Sequence, residues 1–239
     1  MHEPITMPPV IDLDSSEITP LVRCGSYWLC QIRPGTAAAL TATDFIRSRF
    51  LQAYGARPVI QPPLLLVLVN RHGALLAAVG VRLAQSCRLF LEDYLDQPVE
   101  HCLSEPRPDR QTIVEIAHLA GVEAGASRLL FTAMALWLEH QDLDWVVCTG
   151  TGQLRNGFRR MGIAVVDLGR ARPERLVDGG EGWGCYYRHQ PRVMAVNVPP
   201  GLKDLRTRGL VDGLALVKAV NLQQEAQTAS MEGRYGHIA

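Results

Sequence analysis

The chain has 239 residues, and its 24 lysines and arginines balance its 24 aspartates and glutamates. A neutral chain of this length makes one large or two small domains, with no general attraction for nucleic acid or anionic membrane surfaces. The six cysteines are scattered, none at Cys-x-x-Cys spacing, which reads as reduced thiols in a cytoplasmic protein.

Met1-His2-Glu3-Pro4 puts proline and acid where a secretory leader would carry base and then an apolar run. Residues 1–35 are rich in proline and turn formers and read as an N-terminal arm with one short strand at Ser26–Ile32. Thr36–Tyr54 reads as a helix, with Phe45, Ile46, Phe50 and Leu51 at three- and four-residue spacing. Arg47 and Arg49 lie off that stripe, as solvated surface groups or as phosphate contacts. Leu64–Val69 is a buried strand, Asn70–Gly73 a turn, and Ala74–Leu83 the return strand of a hairpin. Its continuously apolar interior implies cover on both faces.

Arg88–Leu103 sets Glu92, Asp93, Asp96 and Glu100 among large apolar residues, as two short helices broken at Pro98. These acids are either a solvated face or a rim for a cationic amine. Thr112–Ala120 is the central strand. Strict alternation puts Ile113, Glu115, Ala117 and Leu119 on one face and Val114, Ile116 and His118 on the other, so Glu115 and His118 form no same-face pair. A carboxylate in so apolar a strand is desolvated, which lifts its pKa toward a useful value. It serves structurally instead if a loop or an arginine holds it.

Gly121–Gly125 turns this strand into a helix over Ala126–His140, with Leu129, Leu130, Ala133, Met134, Leu136 and Trp137 as core face. A strand, glycine turn and helix can aim backbone N–H groups at an anion, although many such turns hold nothing. Trp145–Thr149 is a strand. Gly150-Thr151-Gly152 leads into a helix with Leu154, Phe158 and Met161 inward and Arg155 and Arg159 together on another side. Ile163–Leu168 completes a β-α-β-α-β rhythm. Arg172–Leu176 reads as a short helix. Trp183–Tyr187 and Val193–Val198 read as a final hairpin through His189-Gln190-Pro191, and Leu202–Arg206 and Val211–Glu225 as helices. The domain reading is an arm (1–35), a main unit (36–200) and a helical extension (201–239). No histidine spacing fits zinc, so no metal is expected.

This order of elements resembles the GNAT acyltransferase fold, an α/β (α+β) architecture with a central mixed, mostly antiparallel sheet flanked by helices. The 121–127 turn is similar to that family's Gln/Arg-x-x-Gly-x-Gly/Ala loop, which cradles a coenzyme A pyrophosphate. Gly125 falls on the first glycine and Ser127 on the small residue, while Val122 replaces the basic or amide residue. Phe158 stands where the family has the tyrosine that protonates the leaving thiolate, and phenylalanine cannot donate.

Several segments are closer to the bacterial thermostable hemolysin family: Phe45-Ile46-Arg47-Ser48-Arg49-Phe50, the run 89–100, Val114–Ala120, Thr149-Gly150-Thr151 with Leu154-Arg155, Phe158–Gly162, and Trp183-Gly184 with Tyr186-Tyr187. The resemblance covers about residues 40–198. It implies a GNAT-like fold near the acyl-homoserine-lactone synthases, which move an acyl chain from an acyl carrier to the amine of an S-adenosylmethionine-like substrate.

The resemblance therefore implies N-acyl transfer from an acyl-CoA or acyl-carrier-protein thioester, a co-substrate and not a tightly bound cofactor, to an amine-bearing small molecule. Glu115 and His118 are the catalytic candidates. Glu115 accepts the amine proton, directly or through water, and a backbone N–H near Ala117 or His118 stabilises the oxyanion. Donor phosphate would meet Ala117, Leu119, Gly121, Gly125, Ala126, Ser127 and Arg128. The acceptor would meet Glu92, Asp93, Asp96, Glu100, Thr149, Thr151, Arg155 and Arg159. An acyl carrier protein is a possible partner, and the chain is expected as a monomer or homodimer. The alternative is a non-enzymatic, membrane-active or lipid-binding protein on a degenerate acyltransferase scaffold. Leu64–Val69 is far too short to span a bilayer, which counts against direct lysis.

Overall fold

The computed structural model describes residues 7–103, 105–122 and 124–217. Where the sequence predicts one early strand there are two, β1 (Ile18–Cys24) and β2 (Tyr27–Ile32), paired antiparallel. Leu21, Leu29 and Ile32 in them are fully buried, so this hairpin belongs to the core. α1 (Ala37–Tyr54) starts at Thr36, whose side chain accepts the Ala39 N–H, and stops at Gly55 in the left-handed conformation.

β3 (Leu64–Asn70) and β4 (Leu75–Leu83) form the expected hairpin. Leu65, Val67 and Val69 pack toward α1, while Leu66 and Leu68 pack toward α2 (Ala124–Glu139). Cover on both faces is why β3 is apolar throughout. The acidic run folds as two 3-10 turns, Phe90–Tyr94 and Val99–His101, on either side of Pro98.

β5 (Ile113–Gly121), β6 (Trp145–Gly150), α3 (Gly152–Arg160), β7 (Val166–Arg170), β8 (Arg192–Asn197), α4 (Val198–Thr207) and β9 (Leu214–Leu216) complete the described chain. The sheet order is β7-β8-β6-β5-β4-β3-β2-β1-β9. Every pair is antiparallel except β5 with β6. On one face Ile113, Val147 and Val193 meet the 3-10 turns of residues 90–101. On the other, Val114, Ile116, Cys148 and Met194 meet α2, α3 and α4.

Two predicted elements are replaced. Trp183–Tyr187 is not a strand: it runs through turns into a 3-10 turn at Tyr186–His189, and β8 pairs with β7 and β6 instead. Gly179, Gly180, Gly182 and Gly184 all have positive φ, which an extended strand does not allow. In place of a helix from Val211, residues 211–213 turn and Leu214–Leu216 pairs with β1. The rest of that predicted helix lies outside the described residues.

Candidate active site

β5 and β6 pair in parallel from Ile113 with Trp145 to Ile116 with Cys148, and no further. Beyond that point β5 pairs only with β4, and β6 only with β8. Parallel strands that part leave facing backbone groups without strand partners, so a polar ligand can take their place.

At the parting, β5 carries a bulge. Three steps on β5, from Ala117 to Ala120, match two on β4, from Gly80 to Ala78. His118 adopts φ 56 there, a conformation that histidine enters more readily than most side chains. The extra residue shifts the alternation of facing. His118 thereby joins Glu115 on one side, and Leu119 turns to the opposite core with Val114 and Ile116. This corrects the expectation from strict alternation, which separates Glu115 from His118.

Glu115 is 1% exposed. Its Oε2 accepts the Phe90 N–H at 2.9 Å and its Oε1 accepts the Leu91 N–H at 2.8 Å. Arg82, its cross-strand neighbour on β4, stands 3.4 Å from Oε2. Burial raises the Glu115 pKa, and the two N–H groups and Arg82 oppose that rise. The carboxylate thus ties the 90–94 turn to the sheet.

The His118 ring stacks on Trp183, with centroids 6.1 Å apart and planes 13° apart, and lies 6.3 Å from Phe50 and 6.2 Å from Phe90. Burial, then the Arg82 charge, lowers its pKa to about 4, so the ring is neutral at pH 7. Its Nδ1 is buried and has no hydrogen-bond partner, and neither has Thr149 Oγ1. Thr149 pairs with Val193 and follows Val147 by two residues, which places it on the His118 side. An unpaired buried polar atom costs about 1–3 kcal/mol, and two of them at one seam mark a place for a polar ligand.

The four acids expected to meet the acceptor amine are each engaged in an ion pair with an arginine. Glu92 is 4% exposed and accepts the Leu89 and Val99 N–H groups and both terminal nitrogens of Arg110. Burial pushes its pKa up, but the Arg110 bonds and the two N–H groups outweigh that and bring it down to about 2. Glu100 shares Arg110 at 2.6 Å, Asp93 pairs with Arg88 at 3.1 Å, and Asp96 pairs with Arg175 at 2.7 Å. Three arginines thus serve the four carboxylates, Glu92 and Glu100 sharing Arg110.

At the predicted phosphate loop, Gly121 pairs with Ala77 and its carbonyl accepts Arg49 Nε at 3.1 Å. The Val122 N–H goes to the Leu76 carbonyl at 2.9 Å. Ala126 is buried in the core, while Gly125 and Arg128 are exposed and Ser127 is half-buried at the start of α2. Ala117 lies at the parting, paired with Gly80. Thr151 stands at the start of α3 and hydrogen-bonds Tyr54. Arg155 lines a cavity with Arg188, His189 and Arg192, and Arg159 lies outside it.

Sequence reasoning misses Arg82, Trp183, Arg188 and Arg192. The glycine cluster 179–184 is the signal that this segment turns and brings Trp183 inward.

A mostly antiparallel sheet, helices on both faces, and one parallel pair that parts at its end define a GNAT-like acyltransferase fold. The chain belongs to the thermostable hemolysin family, whose model matches residues 32–202. The AHL synthase LasI has a similar fold, with 11% identity over 84% of this chain and 99% of that one, at a TM-score of 0.53. So has FeeM, an N-acyl amino acid synthase from uncultured soil microbes, with 14% identity over 81% of this chain and 100% of that one, at a TM-score of 0.51. Likeness at such identity is one of fold. No curated protein matches the sequence.

Proposed function

We propose that this protein is an N-acyltransferase that moves an acyl group from an acyl-CoA or acyl-carrier-protein thioester to the amine of a small molecule. The observation that carries this reading is the seam beyond Ile116 and Cys148, edged by the unpaired His118 Nδ1 and Thr149 Oγ1. The names of the two similar structures, an AHL synthase and an N-acyl amino acid synthase, support it.

In this mechanism the thioester carbonyl lies in the seam, its oxygen toward the backbone N–H groups that β5 leaves unpaired past Ala117. The amine attacks the carbonyl carbon and gives a tetrahedral adduct with a positively charged nitrogen. His118, neutral at pH 7 and with its Nδ1 unpaired, takes the proton from that nitrogen. The C–S bond then breaks, and the imidazolium returns the proton to the departing thiolate. This route needs no donor at Phe158, which is buried against Phe131 with ring centroids 4.8 Å apart. Glu115, with both oxygens already accepting N–H bonds, acts as a positioning residue that holds Phe90 against His118.

The test is mass spectrometry of the pure protein offered acyl-CoA and acyl-carrier thioesters of varied length with a panel of amines. Thioester-dependent N-acylation supports the reading. No turnover, together with leakage of liposomes by protein alone, would replace it with a membrane-active role. Among the described residues no helix is long and apolar enough to cross a membrane.

A further inference from the structure

A cavity of about 310 Å³ opens at the end of β6, two residues beyond the last pair of the seam. That size lies at the lower end of small-ligand pockets, about 300–1,000 Å³. Its wall runs from Gly150 through Gly152 to Arg155 on one side and holds Arg188, His189 and Arg192 on the other. Arg192 is paired with Asp167 at 2.5 Å. Arg155 and Arg188 have no carboxylate partner among the described residues.

The same cavity meets the start of α3. Thr151 makes no capping hydrogen bond there, and the first turn carries no acid. The Gly152 and Gln153 N–H groups have no acceptor among the described residues. A Cβ at Gly152 would meet nothing within 4 Å, so the space beside this backbone is open. Two unpaired guanidiniums and a helix N-terminus suit a phosphate group, whose tetrahedral oxygens can meet several donors from different directions, better than a planar carboxylate. The start of α2 also lacks an acid, and Arg128 there has no carboxylate partner among the described residues, but the strand end leading into it is already occupied. Valine stands at 122, its N–H is already donated to Leu76, and the Gly121 carbonyl is held by Arg49.

We propose that this cavity, and not the β5–α2 turn, binds the phosphate of the phosphopantetheine arm that coenzyme A and acyl carriers share. The donor's identity rests on the acyl-transfer reading, whereas the anion site does not. Calorimetry with coenzyme A, phosphopantetheine, phosphate-free pantetheine and an acyl carrier protein bearing the arm tests it. The Arg155→Gln/Arg188→Gln double variant should bind the two small phosphate-bearing probes about tenfold more weakly and leave pantetheine unchanged. Gly125→Asp puts a negative charge at the start of α2, where a Cβ meets nothing within 4 Å, and should change affinity less than about twofold. The carrier-protein arm reports which donor supplies the phosphate.

Wild-type affinity in the double variant would overturn the assignment, as would a loss of about tenfold in Gly125→Asp or no phosphate-probe binding by the wild type. Arginine-dependent binding without any N-acylation would keep the cavity and remove the acyl-transfer reading. N-acylation without arginine dependence would do the reverse.

Discussion

Glu115 accepts the Phe90 N–H at 2.9 Å, and the Phe90 ring stands 6.2 Å from the ring of His118. One residue therefore joins the buried carboxylate to the unpaired imidazole. A neutral amide at 115 would turn an NH₂ group toward the Phe90 or Leu91 N–H, donor against donor. Glu115→Gln should lose about 1–3 kcal/mol of stability, read from the urea midpoint, and lose activity as Phe90 moves. Wild-type stability in this variant would refute the tethering role.

His118→Asn keeps a residue that tolerates φ 56 and removes the proton acceptor. Acyl transfer should fall roughly 100- to 10,000-fold, with circular dichroism unchanged. A folded variant that retains the wild-type rate would exclude His118 as the base.

Stability should fall in two stages as the solution is acidified. His118 titrates at about 4 in the folded protein against an ordinary 6.5. The unfolded chain thus binds more protons across this range, and stability drops as pH falls from about 6.5 through about 4. Glu92 titrates at about 2 against an ordinary 4.5, which adds a second loss as pH falls from about 4.5 through about 2. His118→Asn should flatten the upper stage and Glu92→Gln the lower one, measured by urea midpoints at stepped pH. An unaltered upper stage in His118→Asn would show that another group sets it.

Gly184 has φ 53, and a Cβ there would stand 2.1 Å from the Tyr54 carbonyl oxygen and 2.8 Å from the Gly55 carbonyl carbon. This contact seats the end of α1 against the segment that carries Trp183, with the Cys185 N–H donated to the Tyr54 carbonyl. The left-handed conformation alone costs a non-glycine residue about 1–2 kcal/mol. Gly184→Ala should therefore lower stability by about 2 kcal/mol or more and shift tryptophan fluorescence. Gly125→Ala, in open space at the start of α2, should be neutral or stabilising by up to about 1 kcal/mol.

Local pattern was enough for much of the architecture. Apolar spacing marks α1 and α2, an unbroken apolar run marks β3, and Pro98 divides the acidic segment into two turns. Each of these follows from residues within one or two turns of chain, so each is written in the sequence. The family resemblance extended that reading to the fold.

The site was decided at longer range. Whether His118 faces with or against Glu115 depends on one extra residue in β5 relative to β4, and register belongs to a pair of strands, not to either one. Asp96 reads as a free acid until Arg175, 79 residues away, is folded onto it. The seam exists only because β5 and β6, each apolar and well formed, stop pairing after Ile116 and Cys148. Periodicity specifies what a segment buries, but only the assembled sheet determines which polar atoms are left without partners.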